Sequence, residues 1–105
     1  MVRFKEGVRG YCKTGCVRPV IWVVIEFAEV IFRNIGKECV VTSLCDGKHS
    51  RHSKHYEGNA VDFRTRHLTD DEKLSVVARF KQLLSKEYDI ILESTHLHIE
   101  YDPKE

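Results

Sequence analysis

Residues 88–101 read Tyr88-Asp89-Ile90-Ile91-Leu92-Glu93-Ser94-Thr95-His96-Leu97-His98-Ile99-Glu100-Tyr101. Two short, largely apolar runs flank Ser94 and Thr95. This predicts strands over 88–93 and 96–101, joined as an antiparallel hairpin by a two-residue turn. Successive side chains of a strand point to opposite faces. Leu97, Ile99 and Tyr101 therefore share a core face, and His96, His98 and Glu100 share the other. Ile91 and Leu92 are expected to be buried, with Glu93 held at the edge of a cleft. An isolated H-x-H is most often a solvated polar face, so the pair acquires meaning only from what stands elsewhere in the chain.

Working outward, 59–65 (NAVDFRT) reads as a strand with Asp62 between Val61 and Phe63. A carboxylate there is costly unless it is paired or bound to a cation. Ala60 shares its face and leaves room beside it. Residues 38–43 (ECVVTS) read as a short buried strand. Thr69-Asp70-Asp71-Glu72 has the pattern of a capping box. Leu74, Val77, Phe80, Leu83 and Leu84 follow at helical spacing, giving a helix over 70–86. A second helix is expected over 19–35. It opens on Pro19, carries Val20, Ile21, Val23, Val24, Phe27, Ala28, Val30, Ile31 and Ile35 on a broad apolar face, and stops at Gly36. Residues 1–17, with Gly7, Gly10 and Gly15, read as an irregular lead-in. The result is an α+β class: a small antiparallel sheet with two packed helices.

At 105 residues the chain holds one core, so 1–105 is read as a single domain. Hydrophobic residues make up 42% and charged residues 31%, which excludes a disordered or low-complexity chain. The formal net charge of +1 gives no support for sequence-independent nucleic-acid binding. The longest apolar stretch, 20–25, is far short of the ~20 residues that span a bilayer. The first eight residues contain Arg3, Lys5 and Glu6 and do not resemble a secretory signal. A monomer made in the cytoplasm, with no membrane partner, is expected; if it acts outside, something else must release it. Cys12, Cys16, Cys39 and Cys45 lack a common zinc-finger spacing. Reduced thiols are the default, with disulfides or a second metal site as the alternatives.

The six histidines are the anomaly of the composition. His55 stands seven residues before Asp62, and His96 and His98 share a face downstream. Two imidazoles and one carboxylate suit zinc, and three protein ligands leave a fourth position for water, as in catalytic sites. Glu93, beside such a site, is a candidate proton acceptor. His49, His52 and His67 match no ligand position. Lys48, Arg51 and Lys54 join the first two in what reads as a solvated basic loop.

Ser53-Lys54-His55-Tyr56-Glu57-Gly58-Asn59-Ala60-Val61-Asp62 resembles the S-x-H-x-x-G-x-A-x-D motif of zinc D-Ala-D-Ala carboxypeptidases and related peptidoglycan peptidases, the small phage and prophage members above all. Glu93-x-x-His96-x-His98 resembles their second motif. Residues 46–62 and 93–99 are also similar to the hedgehog signalling domain, which shares the peptidase fold. The resemblance covers residues 38–102. It implies the hedgehog/DD-peptidase fold, with His55, Asp62 and His98 as zinc ligands. It also implies Glu93 as general base, and His96 beside the metal, stabilising an oxyanion or orienting Glu93. In some relatives the register would instead make His96 the third ligand. Ser53 is implied as a substrate contact. The arginine that pairs with a substrate carboxylate in many relatives is missing after residue 43; Lys48 or Arg51 stand nearest in its place. The implied substrate is a peptidoglycan peptide, cut as a carboxypeptidase or an endopeptidase. The alternatives are a non-catalytic zinc-binding recognition module of the hedgehog type and a metal-free structural protein.

Overall fold

The computed structural model describes residues 2–12, 15–45 and 58–103. In chain order it contains β1 (Val2–Phe4), β2 (Tyr11–Cys12), β3 (Gly15–Cys16), α1 (Pro19–Asn34), β4 (Cys39–Ser43), β5 (Ala60–Arg64), α2 (Asp70–Leu83), β6 (Tyr88–Leu92) and β7 (His96–Tyr101). The main sheet has the order β1-β4-β5-β7-β6, and β2 and β3 pair by themselves.

The chain is α+β, as the sequence predicts, but the sheet is mixed. β4, β5, β7 and β6 are mutually antiparallel neighbours. β1 lies parallel to β4, with Val2 opposite Cys39 and Phe4 opposite Val41, and the Lys5 N–H donates to the Val41 carbonyl at 2.8 Å. The first residues are therefore a sheet edge and not an irregular lead-in. Three residues are too few to display an alternation, and a parallel partner some 37 positions away leaves no local signature.

Both helices cover one face of the sheet. Val41, Val61, Phe63, Leu97 and Ile99 point into that layer and form one core with Ile21, Val24, Ile25, Ala28, Ile31 and Phe32 of α1 and Val76 and Phe80 of α2. Phe63 lies between the helices, its ring 6.2 Å from Phe32 and 5.8 Å from Phe80. The buried stripe of α1 thus runs through Ile21, Val24/Ile25, Ala28 and Ile31/Phe32, while Val23 and Val30 are exposed. On α2 it runs through Val76 and Phe80 on to Leu84 just past the helix, and Leu74 and Leu83 are exposed. Ile91 and Leu92, expected inside, are 44% and 40% exposed. Both lie on edge strand β6, and Ile91 is opposite His98, so it projects from the face turned away from the helices.

The helix ends follow local chemistry. Pro19 occupies the first turn of α1, where its missing N–H costs nothing. At the other end Gly36 has φ +70°. Its N–H donates to the Arg33 carbonyl at 3.0 Å and that of Lys37 to Phe32 at 3.0 Å, which is the Schellman closure. In the capping box of α2 the Glu72 N–H donates to Thr69 Oγ1 at 3.1 Å and the Thr69 N–H to Glu72 Oε1 at 2.8 Å. That helix ends at Leu83, three residues before the expected limit. No helix among the described residues is long and apolar enough to cross a membrane.

Thr69→Ala removes one half of the box and is expected to lower stability by about 1 kcal/mol. The check is a urea melt whose midpoint falls while its slope is unchanged.

Candidate active site

The sheet face turned away from the helices carries the polar residues. The register sets Asp62 opposite His98, Arg64 opposite His96 and Ala60 opposite Glu100, so all six project from this face. Gly58, the glycine of the ten-residue motif, has φ +73°, a conformation that a residue with a Cβ adopts only under strain. Its carbonyl accepts from the Arg18 N–H at 2.9 Å. The chain is thereby turned into β5 and anchored to the start of α1.

Asp62 is 8% exposed and is not left bare. His98 Nδ1 lies 2.8 Å from Asp62 Oδ1, and His98 Nε2 lies 2.8 Å from Glu100 Oε1. Ionised carboxylates only accept, so both ring nitrogens carry protons here. Burial acts to lower the His98 pKa, but the hydrogen bonds to Asp62 and Glu100 and their charges outweigh it and raise the group from its ordinary 6.5 to about 9. Alongside, His96 Nε2 is 2.8 Å from Glu93 Oε2 and 3.9 Å from Asp62 Oδ2. With its proton on Nε2 it donates to Glu93, and Nδ1 accepts from the Thr95 hydroxyl at 3.2 Å. Glu93 itself is half-exposed. Its N–H donates to the His96 carbonyl at 2.9 Å, closing the hairpin turn.

The site opens on a cavity of about 300 Å³. Asp62 and His96 line one side, and Lys5, Arg64 and Arg66 line it as cations. Thr42, Ser43 and Thr95 add hydroxyls. A β-bulge between Val41 and Ser43 makes the first two possible: Val41 sits opposite Phe63, and Ser43 opposite its neighbour Asp62. Thr42 is the extra residue, and its hydroxyl donates to the Asp62 carbonyl at 3.3 Å.

Of the residues singled out in the sequence, Asp62, Glu93, His96 and His98 come together here. Arg51, Ser53 and His55 lie outside the described residues, as do Lys48, His49, His52 and Lys54. His67 is structural: its Nε2 is 2.7 Å from the Glu38 carbonyl and its ring stacks on Phe32 at 6.3 Å. Cys39 and Cys45 are buried, and burial pushes the Cys39 thiol pKa up to about 12; the side chains of Cys12 and Cys16 are outside the described set.

Several functional neighbours were not singled out. Glu100 was placed on the histidine face but given no role, although its spacing of two from His98 makes the contact readable. Arg64 stands likewise two residues from Asp62. Lys5 reaches the cavity through the unforeseen parallel strand. A further cluster, Asp89, Glu100 and Asp102, brings three part-buried carboxylates within 4.8 Å of one another, close enough to hold a metal ion. Asp89 and Glu100 are cross-strand partners in the hairpin.

Comparison with protein-family models, with curated proteins and with solved structures finds no match.

The His98 contacts fix a pH dependence for the metal-free protein. The folded pKa of about 9 lies above the ordinary 6.5, so this stabilisation is complete below pH 6.5 and is lost as pH rises through 9. Following the His98 ring protons by NMR in chelator-treated protein should give a midpoint near 9. A midpoint at or below 6.5 would contradict the paired imidazolium.

Proposed function

We propose that the protein is a zinc-dependent peptidase of the hedgehog/DD-peptidase fold, acting on amide bonds of peptidoglycan peptides. The observation that carries this reading is the contact of Asp62 Oδ1 with His98 Nδ1 at 2.8 Å, backed by Glu100 on Nε2 at 2.8 Å. Metal binding replaces ligand protons. Asp62 and His98 would hold such an ion in place of the proton they share, while His98 keeps its second N–H on Glu100. A carboxylate behind the second ring nitrogen is the arrangement that orients a ligating histidine and raises its basicity. The donor set therefore fits zinc, with His55 of the same ten-residue motif as the remaining ligand. His98 has a carboxylate, Glu100, behind its second ring nitrogen and faces Asp62 with the first, which favours His98 as the third ligand.

When bound, zinc polarises the scissile carbonyl and makes its water acidic enough to ionise near neutral pH. The chain's own residues do the rest. Glu93 stands at the open edge of the site, half-exposed and thus able to meet water. It takes the proton of the attacking water and returns it to the departing amine. The 2.8 Å hydrogen bond from His96 fixes the Glu93 carboxylate in one orientation. His96 borders the cavity, and its alternative role is to turn that same N–H from Glu93 to the developing oxyanion. Asp62 holds negative charge at the floor, and the sheet behind it keeps the ligands at fixed register.

Two substitutions separate these roles. His98→Ala should lose far more zinc affinity than His96→Ala, measured by competition with a chromophoric chelator. An equal or larger loss at His96 would move the third ligand there. Glu93→Gln should keep zinc and fold yet lower kcat by at least ~100-fold on a muropeptide ending in D-Ala-D-Ala. Mass spectrometry of the fragments reads both rate and bond. A wild-type protein that binds zinc and leaves the muropeptide intact would replace this reading with the recognition module.

A further inference from the structure

Among the described residues, the cavity beside Asp62 and His96 carries more positive charge than its neighbours neutralise. Lys5 comes from the end of β1, Arg64 from the last position of β5 and Arg66 from the turn that follows. No ion pair to their side chains is found among the described residues, whereas Arg3, Arg33, Lys37 and Lys73 each have a carboxylate partner. Among the described lining residues the negative group is Asp62, and it is engaged with His98 at 2.8 Å. Like charges brought to one concave surface repel, and the arrangement becomes favourable when an anion enters.

From this we infer that the cavity seats the free C-terminal carboxylate of the peptide, with Arg64 and Arg66 as the principal ligands and Lys5 as a supporting charge. The planar fork of arginine fits a carboxylate in a bidentate way, which an ammonium cannot. Arg64 stands directly opposite His96 and two residues beyond Asp62 on the same face. Two strand steps span about 6.6 Å, the reach of one or two residues of extended peptide. A carboxylate held at Arg64 thus sets the amide near Asp62 within one or two residues of the chain end. The cavity of about 300 Å³ lies at the small end of ligand pockets and suits such a short leaving group. The selectivity that follows is for chain ends: a carboxypeptidase or dipeptidase in place of an endopeptidase. It draws on neither Lys48 nor Arg51, and it rests on the peptidase reading only for the identity of the carboxylate's owner.

The test uses the full-length Glu93→Gln chain in zinc-containing buffer, titrated by NMR with N-acetyl-D-Ala-D-Ala and with its C-terminal amide. The acid should bind at least about tenfold more tightly than the amide, the value of one charge-assisted hydrogen bond. Adding Arg64→Gln or Arg66→Gln should bring the acid down towards the amide. Arg66 is exposed, so its replacement leaves the fold intact and keeps the test open if Arg64→Gln misfolds. Equal binding of acid and amide overturns the inference, as does an acid preference that survives both arginine substitutions, or no binding of either probe. Wild-type turnover of the two probes separates this from the reading beneath it. Cleavage of both at the same rate removes the carboxylate seat and keeps the peptidase. A tenfold binding preference without any cleavage keeps the seat and removes the peptidase.

Discussion

A buried carboxylate in a central strand is the constraint around which this protein is organised. Asp62 lies between Val61 and Phe63, two of the fully buried residues of the core. A charge so placed loses most of its hydration, a penalty of several kcal/mol. The sheet meets it by register. Because β7 runs antiparallel to β5 with His98 opposite Asp62, an imidazole is delivered at 2.8 Å, and the next residue on that face, Glu100, anchors the far side of the ring. The hairpin that supplies His98 also supplies Glu93 and His96. The pairing that makes the charge tolerable is thus the same pairing that assembles the site.

The two faces of the sheet divide the labour between core and site. All helical packing falls on one side, where Phe63 meets Phe32 and Phe80. Among the described residues no helix lies on the other side, which carries Asp62, Arg64, His96, His98 and Glu100. Val61 and Phe63 alternate with Asp62 and Arg64 along five residues, so one short strand contributes to core and site at once. A change that slipped β5 by one position would exchange the two sets, and the core and the site would be lost together.

Much of this was readable from the residues, and the reasons differ from case to case. The hairpin, the capping box at Thr69 and the stop at Gly36 are local, so their chemistry is complete within a few positions. The grouping of Asp62 with His96 and His98 was legible because strand parity and a ten-residue motif agreed. The buried stripes of α1 and α2 were misjudged by a fraction of a turn, because both helices carry more apolar residues than the core accepts. Trp22, Val23 and Leu74 remain in water. β1 and the contribution of Lys5 were not legible, since nothing local marks a three-residue parallel edge. Arg51, Ser53 and His55 stand outside the described residues, so Ser53 and His55 keep the roles the motif implies and Arg51 that of a stand-in for the missing arginine.

The bulge in β4 carries a consequence for anyone lining this chain up with another. In a regular strand, side chains two apart face the same way, so Val41 and Ser43 would both look to the helices. The extra residue at Thr42 resets the count: Val41 is paired with Phe63 on the core side, and Ser43 with Asp62 on the cavity side. The identity of a position beyond residue 42 therefore depends on whether the other strand also has the bulge. A relative shorter by that single residue, aligned without a gap, would appear to conserve a hydroxyl that in fact points into its core. One missing residue would be a change of side rather than a change of length.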